Sequence, residues 1–200
     1  MPQTMAKADS NLGLLQREKG NYPEALALLR NALATEQKAG LLLSQARDNL
    51  NLGIVHASTG KFDKAMEHTR EGLKLAIQEK DIKEQAIALL NRAVLQRAVG
   101  NLKEAGADYS QAAKLFEEAG FQEGQASAKL GIGKMAELAD KNYVAALENY
   151  LQALEFYSKP NCRAGKRWRS CNLPISINKS RNPEERQGIW SLTTSRSRHK

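Results

Sequence analysis

The sequence predicts an all-α fold, a right-handed solenoid of about four helix-turn-helix repeats followed by a basic tail that reads as disordered. Three observations carry this. The same small and aromatic residues return at a fixed step, apolar residues between them fall at helical spacing, and glycines stand where most of the helices have to stop. Ala25, Ala65, Ala105 and Ala146 set the step, lying 40, 40 and 41 residues apart.

In the first unit Asn11-Leu12-Gly13 is followed by Gly20-Asn21-Tyr22 and Ala25. The second unit repeats the set as Asn51-Leu52-Gly53, Gly60-Lys61-Phe62 and Ala65, and the third as Asn91-Arg92-Ala93, Gly100-Asn101-Leu102 and Ala105. A fourth, one residue longer, carries Tyr143 and Ala146. The first helix is expected from about Gln3 to Lys19, with Ala8, Leu12 and Leu15 at helical spacing and Gly20 as its stop. Asn21 is placed as the N-cap of the next helix, with Pro23 near the start, where its missing N–H costs least. That helix continues through Ala25, Leu26, Leu29 and Leu33 to about Lys38, and Gly40 ends it.

Gly13 and Gly53 fall inside helices, where glycine costs about 0.5–1 kcal/mol relative to alanine. Their phased recurrence predicts that each first helix crosses its partner closely, facing Ala25 and Ala65. Leu12, Tyr22 and Leu29 are expected to fill the space between neighbouring units, so that stability comes from stacking. In the third unit Arg92 stands where leucine is expected and is read as turning its charge to water over a packed stem. The fourth unit lacks a turn glycine, and its first helix should carry Leu130-Gly131-Ile132-Gly133.

These units resemble tetratricopeptide repeats (TPRs). The shared pattern is Leu-Gly on the first helix, a turn glycine followed two residues on by an aromatic, then Ala three residues later. A large residue (Leu29, Thr69, Tyr109, Tyr150) and a small one (Ala32, Gly72, Ala112, Ala153) follow. The usual period is about 34 residues. The longer step here is similar to that of kinesin light chains, LGN-type spindle adaptors and bacterial Rap regulators. The resemblance implies an array over residues 3–158, with repeats at approximately 3–40, 41–80, 81–120 and 121–158, and a tail over 159–200.

Composition is that of a soluble protein, 42% hydrophobic and 26% charged, with no apolar run near the length of about 20 residues that spans a membrane. Met1-Pro2-Gln3-Thr4 lacks the basic and apolar regions of a secretory signal, and a cytoplasmic location is expected, with nuclear or cytoskeletal association left open. The net charge of +8 is unevenly spread. Residues 1–158 hold 19 Lys and Arg against 20 Asp and Glu, whereas residues 159–200 hold 11 against 2. Cys162 and Cys171 both lie in that tail, so no disulfide framework is expected in the repeats.

Catalysis finds no support. His56, His68 and His199 are not at metal-ligand spacing, and no cofactor is implied. Gly131-Ile132-Gly133-Lys134 lacks the upstream glycine and following Ser or Thr of a phosphate loop and is read as helix.

The binding candidates are phased. Asn11, Asn51 and Asn91 recur at one position of the first helix, and a carboxamide offers an acceptor and two donors to the C=O and N–H of an extended peptide. Similar asparagine ladders on the concave wall clamp peptides in kinesin light chain and LGN-type repeats. Lys7 and Arg47 lie one turn before Asn11 and Asn51. The resemblance implies that a cation at this place reaches acidic side chains of a ligand. Ile87 breaks that series, and Arg97 is read as restoring positive charge nearby. Leu14, Ile54 and Val94 are candidates for an apolar floor. A chaperone-type carboxylate clamp is not reproduced.

The expected function is a non-enzymatic adaptor whose concave groove binds an extended, partly acidic peptide of a partner protein. Two alternatives stay open. Lys166-Arg167-Trp168-Arg169 in the tail mixes basic and aromatic residues, as nucleic-acid or acidic-membrane binders do. No polar helix caps the last unit, which leaves self-association through that end, or membership of a longer array, as further readings.

Overall fold

Helix length in this protein is set by turns that recur about every twenty residues. A computed structural model describes residues 2–157, which form eight α-helices. They are α1 (Pro2–Glu18), α2 (Tyr22–Lys38), α3 (Leu42–Ser58), α4 (Phe62–Gln78), α5 (Ile82–Ala98), α6 (Leu102–Glu118), α7 (Gln122–Leu138) and α8 (Tyr143–Tyr157). The turns between them place Gly20, Gly40, Gly60, Lys80, Gly100, Gly120 and Lys141 in the left-handed region, with φ from 51° to 90°. In the first of them the Gly20 N–H donates to the Arg17 carbonyl at 3.0 Å and the Asn21 N–H to the Gln16 carbonyl at 2.9 Å. This Schellman pairing recurs through the Gly120 turn and satisfies carbonyls that a helix end leaves open.

The Leu130–Lys134 segment is helical, inside α7. The extra residue of the fourth unit falls after α7, where the Asn142 N–H spans back to the Ala136 carbonyl at 2.8 Å. Asn142 then caps α8, its Oδ1 accepting from the Ala145 N–H at 3.1 Å. Asn21 does stand at the N-cap of α2, yet its side chain makes no cap. Its Nδ2 donates instead to Gln16 Oε1 at 2.9 Å, tying the turn to α1.

Each odd helix packs antiparallel on the even helix after it, and each even helix packs on the next odd one. Odd helices also touch across units (α1 with α3, α3 with α5, α5 with α7), while the even helices make their substantial contacts only with neighbours in sequence. The odd helices are therefore the closer-spaced, inner layer.

The close crossing falls at the phased glycines. A Cβ on Gly53 would lie 3.2 Å from the Ala65 carbonyl oxygen and 2.8 Å from Thr69 Oγ1. At Gly13 the Ala25 carbonyl oxygen would be 3.3 Å away. Neighbouring units join through apolar clusters. Ala25 and Leu29 pack with Leu52 and Val55, with Tyr22, Leu26 and Leu33 around them. Two units on, Tyr109 and Leu102 meet Met135 and Ile132.

Two expectations are corrected here. Leu12 does not fill a joint. It is 43% exposed, whereas Leu52, one period later, is fully buried. The face of α1 that carries Leu12 has no described helix against it, while Leu52 has α2. Nor does Arg92 turn its charge to water. Its guanidinium points inward and pairs with Asp108 of α6, which is only 6% exposed. The tail expected to be disordered, with Cys162, Cys171 and Lys166–Arg169, lies outside the described residues. Among the described residues no helix is long and apolar enough to cross a membrane.

Candidate peptide-binding groove

Helical period and repeat step together place Asn11, Asn51 and Asn91 at one position on α1, α3 and α5, three inner-layer helices that touch in succession. Lys7, Arg47 and Ile87 stand one turn earlier, and Leu14, Ile54 and Val94 one turn later. The structure thus brings the phased rows onto one layer, but their members differ in surroundings. Asn11 is exposed, Asn51 and Asn91 are half-buried. Leu14 and Ile54 are half-buried, and Val94 is 42% exposed.

The asparagines are also differently engaged. Asn51 Nδ2 donates to Asp48 Oδ1 at 3.3 Å, and the Ser10 hydroxyl donates across from α1 to Asp48 Oδ2 at 2.5 Å. Asp48 is 2% exposed. Burial pushes its carboxyl up, while the hydrogen bonds from Ser10 and Asn51 pull it back down. Asn91 Nδ2 is buried with no hydrogen-bond partner. A donor left so costs about 1–3 kcal/mol.

The cations are less available than their spacing implies. Lys7 is exposed. Arg47, however, donates through Nε to Glu84 Oε1 at 2.7 Å and so ties α3 to α5. Half of the Arg47 side chain, 52%, stays accessible. Arg97 lies against the Tyr109 hydroxyl of α6. Its charge and hydrogen bond offset part of the upward push that burial gives that phenol. Both arginines read from sequence as ligand contacts are therefore also structural ties.

The sequence of the first two units matches the profile of the tetratricopeptide repeat family over residues 4–78. Those residues are tetratricopeptide repeats. Solved TPR-like structures extend the likeness along the array. BtubC (BKLC) from P. vanneervenii superposes with a TM-score of 0.67 at 17% identity, over 91% of this chain and 70% of that one. TPR-like repeats of a Podosopora anserina protein described as a putative kinesin light chain superpose with a TM-score of 0.63 at 16% identity, over 80% of this chain and 78% of that one. No curated protein sequence matches the chain. At these identities the structures establish the fold, an all-α TPR solenoid. Arrays of this kind generally mediate protein–protein interaction.

The TPR phase also shows where the rows end. Counting one more period from Asn91 gives Gly131, and the Tyr109 ring fills the space a side chain would need. A Cβ there would come 2.3 Å from Tyr109 Cδ1. The apolar row ends likewise at Lys134, whose Nζ pairs with Glu137 at 2.9 Å while the Tyr150 hydroxyl donates to the same carboxylate at 2.8 Å. Both ends were readable by extending the count. Asp48, Glu84 and Asp108 were not, because each takes its role from a side chain on another helix.

A second polar cluster sits away from these rows. His56 and His68 stack with ring centroids 5.4 Å apart, and His68 Nδ1 meets Asn49 Oδ1 at 3.0 Å. Both ring nitrogens of His56 are buried without a partner, and burial holds this imidazole below its usual range. Beside His68, a cleft of about 530 Å³ lies between α2 and α4 and shares no residue with the asparagine row.

Proposed function

We propose that the inner face of units one to three binds an extended, partly acidic peptide segment of a partner protein, and that the protein acts as an adaptor rather than an enzyme. The observation that carries this reading is the placement of Asn11, Asn51 and Asn91 at one position on three helices that touch in succession. A row of carboxamides pairs with the backbone of an extended chain without selecting its side chains. Leu14, Ile54 and Val94 give the row an apolar border. Lys7, with the accessible part of Arg47, favours acidic side chains over the first two units.

The test is a peptide array probed with the full chain, followed by titration of the best extended sequence against the wild type and the Asn51→Ala/Asn91→Ala double variant. With each lost hydrogen bond worth about 0.5–1.5 kcal/mol, affinity should fall about tenfold or more while the variant keeps its helices by circular dichroism. Equal affinity of the two forms would remove the asparagine reading.

A further inference from the structure

The two ends of the array carry the two halves of one joint. Within the chain, Tyr22, Leu26, Leu29 and Leu33 of α2 hold Leu52 and Val55 of α3 in a single apolar cluster. The joint between α6 and α7 repeats it, with Leu102 and Tyr109 against Ile132 and Met135. At the same phase α8 presents Tyr143, Leu147, Tyr150 and Leu154. No described helix follows to cover this set, and Tyr143, Leu147 and Leu154 are 67%, 58% and 57% exposed.

The opposite end presents the complementary half. Leu12 and Leu15 of α1 occupy the phase of Leu52 and Val55. They are 43% and 45% exposed, while Leu52 and Val55 are fully buried. Ala8 shows the same contrast, exposed where Asp48, Ala88 and Ala128 are buried.

We propose that α8 of one copy receives α1 of a second copy, so that the chain stacks head to tail through the joint it already uses internally. The receiving set and the entering set are both encoded in this chain at matching phase, which selects a second copy over an unrelated partner. α8 is moreover apolar beyond what the joint requires. Leu151 stands where earlier units place Arg30, Arg70 and Ser110, all exposed to water. A head-to-tail contact is heterologous and does not close on itself, so it adds copies rather than stopping at a dimer. This inference is independent of peptide binding, since it uses the ends of the array and not its inner face.

The experiment is sedimentation velocity on the full chain over a concentration series, under reducing conditions so that Cys162 and Cys171 form no crosslinks. The weight-average mass should climb with concentration past the dimer. Leu147→Glu/Leu154→Glu blocks α8, and Leu12→Glu/Leu15→Glu blocks α1. Each variant alone should stay at monomer mass, and an equimolar mixture should double it and go no further, because one free α8 and one free α1 remain. A wild type that is monomeric at every concentration overturns the proposal, whether residues 158–200 or another protein covers α8. So does an α1 variant that still associates, which would mean that α8 pairs with itself. Circular dichroism checks that each variant keeps its helices. Should a double variant lose them, the single Leu147→Lys, at a side chain 58% exposed, replaces it on α8, and Met5→Lys, at one 68% exposed, on α1.

Discussion

The Arg92 guanidinium grips the buried Asp108 carboxylate twice, Nε to Oδ2 at 2.6 Å and Nη2 to Oδ1 at 2.8 Å. In the first unit the same two positions hold Leu12 and Leu28, so the third unit has an acid and a base where the first has two apolar residues. Arg92→Leu should therefore destabilise the array by about 3 kcal/mol, because it leaves a carboxylate in the α5–α6 interface without its partner. The double variant Arg92→Leu/Asp108→Leu, which installs the first unit's pair, should recover most of the loss. Urea denaturation of the two variants decides it. Equal instability of both would show that the ion pair is not what Asp108 depends on.

Glu36 makes stability depend on pH near neutrality. It is 4% exposed, and burial, with a smaller contribution from the Asp48 charge, raises its carboxyl to about 7. The folded state thus holds a proton that the unfolded chain, with an ordinary carboxyl near 4.5, has already released. Stability from this group is full below the unfolded value and is lost as pH rises through 7, by at most about 3 kcal/mol. Burial of His56 acts with the opposite sign, removing stability as pH falls below the usual imidazole range. The informative quantity is therefore the difference between wild type and Glu36→Gln. The variant should melt higher at about pH 8 and match the wild type near pH 5. An unchanged difference across that range would show that Glu36 ionises normally.

Features that constrain the backbone were legible from the letters. A turn residue with positive φ and a small residue at a close crossing leave little choice of side chain, so glycine and alanine mark them unit after unit. Identity of position did not reveal identity of environment. Leu12 and Leu52 share a phase, but only Leu52 has a preceding helix to bury it. Arg47 and Arg97 read as ligand contacts because their spacing places them beside the asparagines. Their engagements, with Glu84 and Tyr109, depend on neighbouring helices that the repeat count does not describe. The asparagine row was visible as a pattern, while the hydrogen bond from Asn51 to Asp48 was hidden within it.

Lys80 takes the place that glycine fills at five other turns, with φ of 55°. A non-glycine residue in that region carries a strain of about 1–2 kcal/mol, against which glycine's greater freedom when unfolded costs about 0.5–1 kcal/mol. Lys80→Gly should thus raise stability by about 0.5–1 kcal/mol without altering the helices, a shift that thermal melting resolves. A loss of stability would mean that the lysine side chain makes a contact that outweighs its backbone strain.

The tie between Arg47 and Glu84 sets a limit on how strongly the inner face attracts acid. Glu84 is buried to 6% exposure and draws on the Arg47 Nε, so part of that cation's field is spent inside the protein. Glu84→Gln keeps an acceptor of the same shape in place but removes the opposing charge. On the proposed reading of the groove, an acidic extended peptide should then bind several-fold tighter, and its affinity should fall more steeply with salt, as screening of a less compensated cation requires. A matched peptide with Gln or Asn in place of its acidic residues should show no gain. Isothermal titration of both peptides against wild type and variant separates the outcomes. Equal gains for the acidic and neutral peptides would assign the effect to a loosened α3–α5 contact instead of to charge.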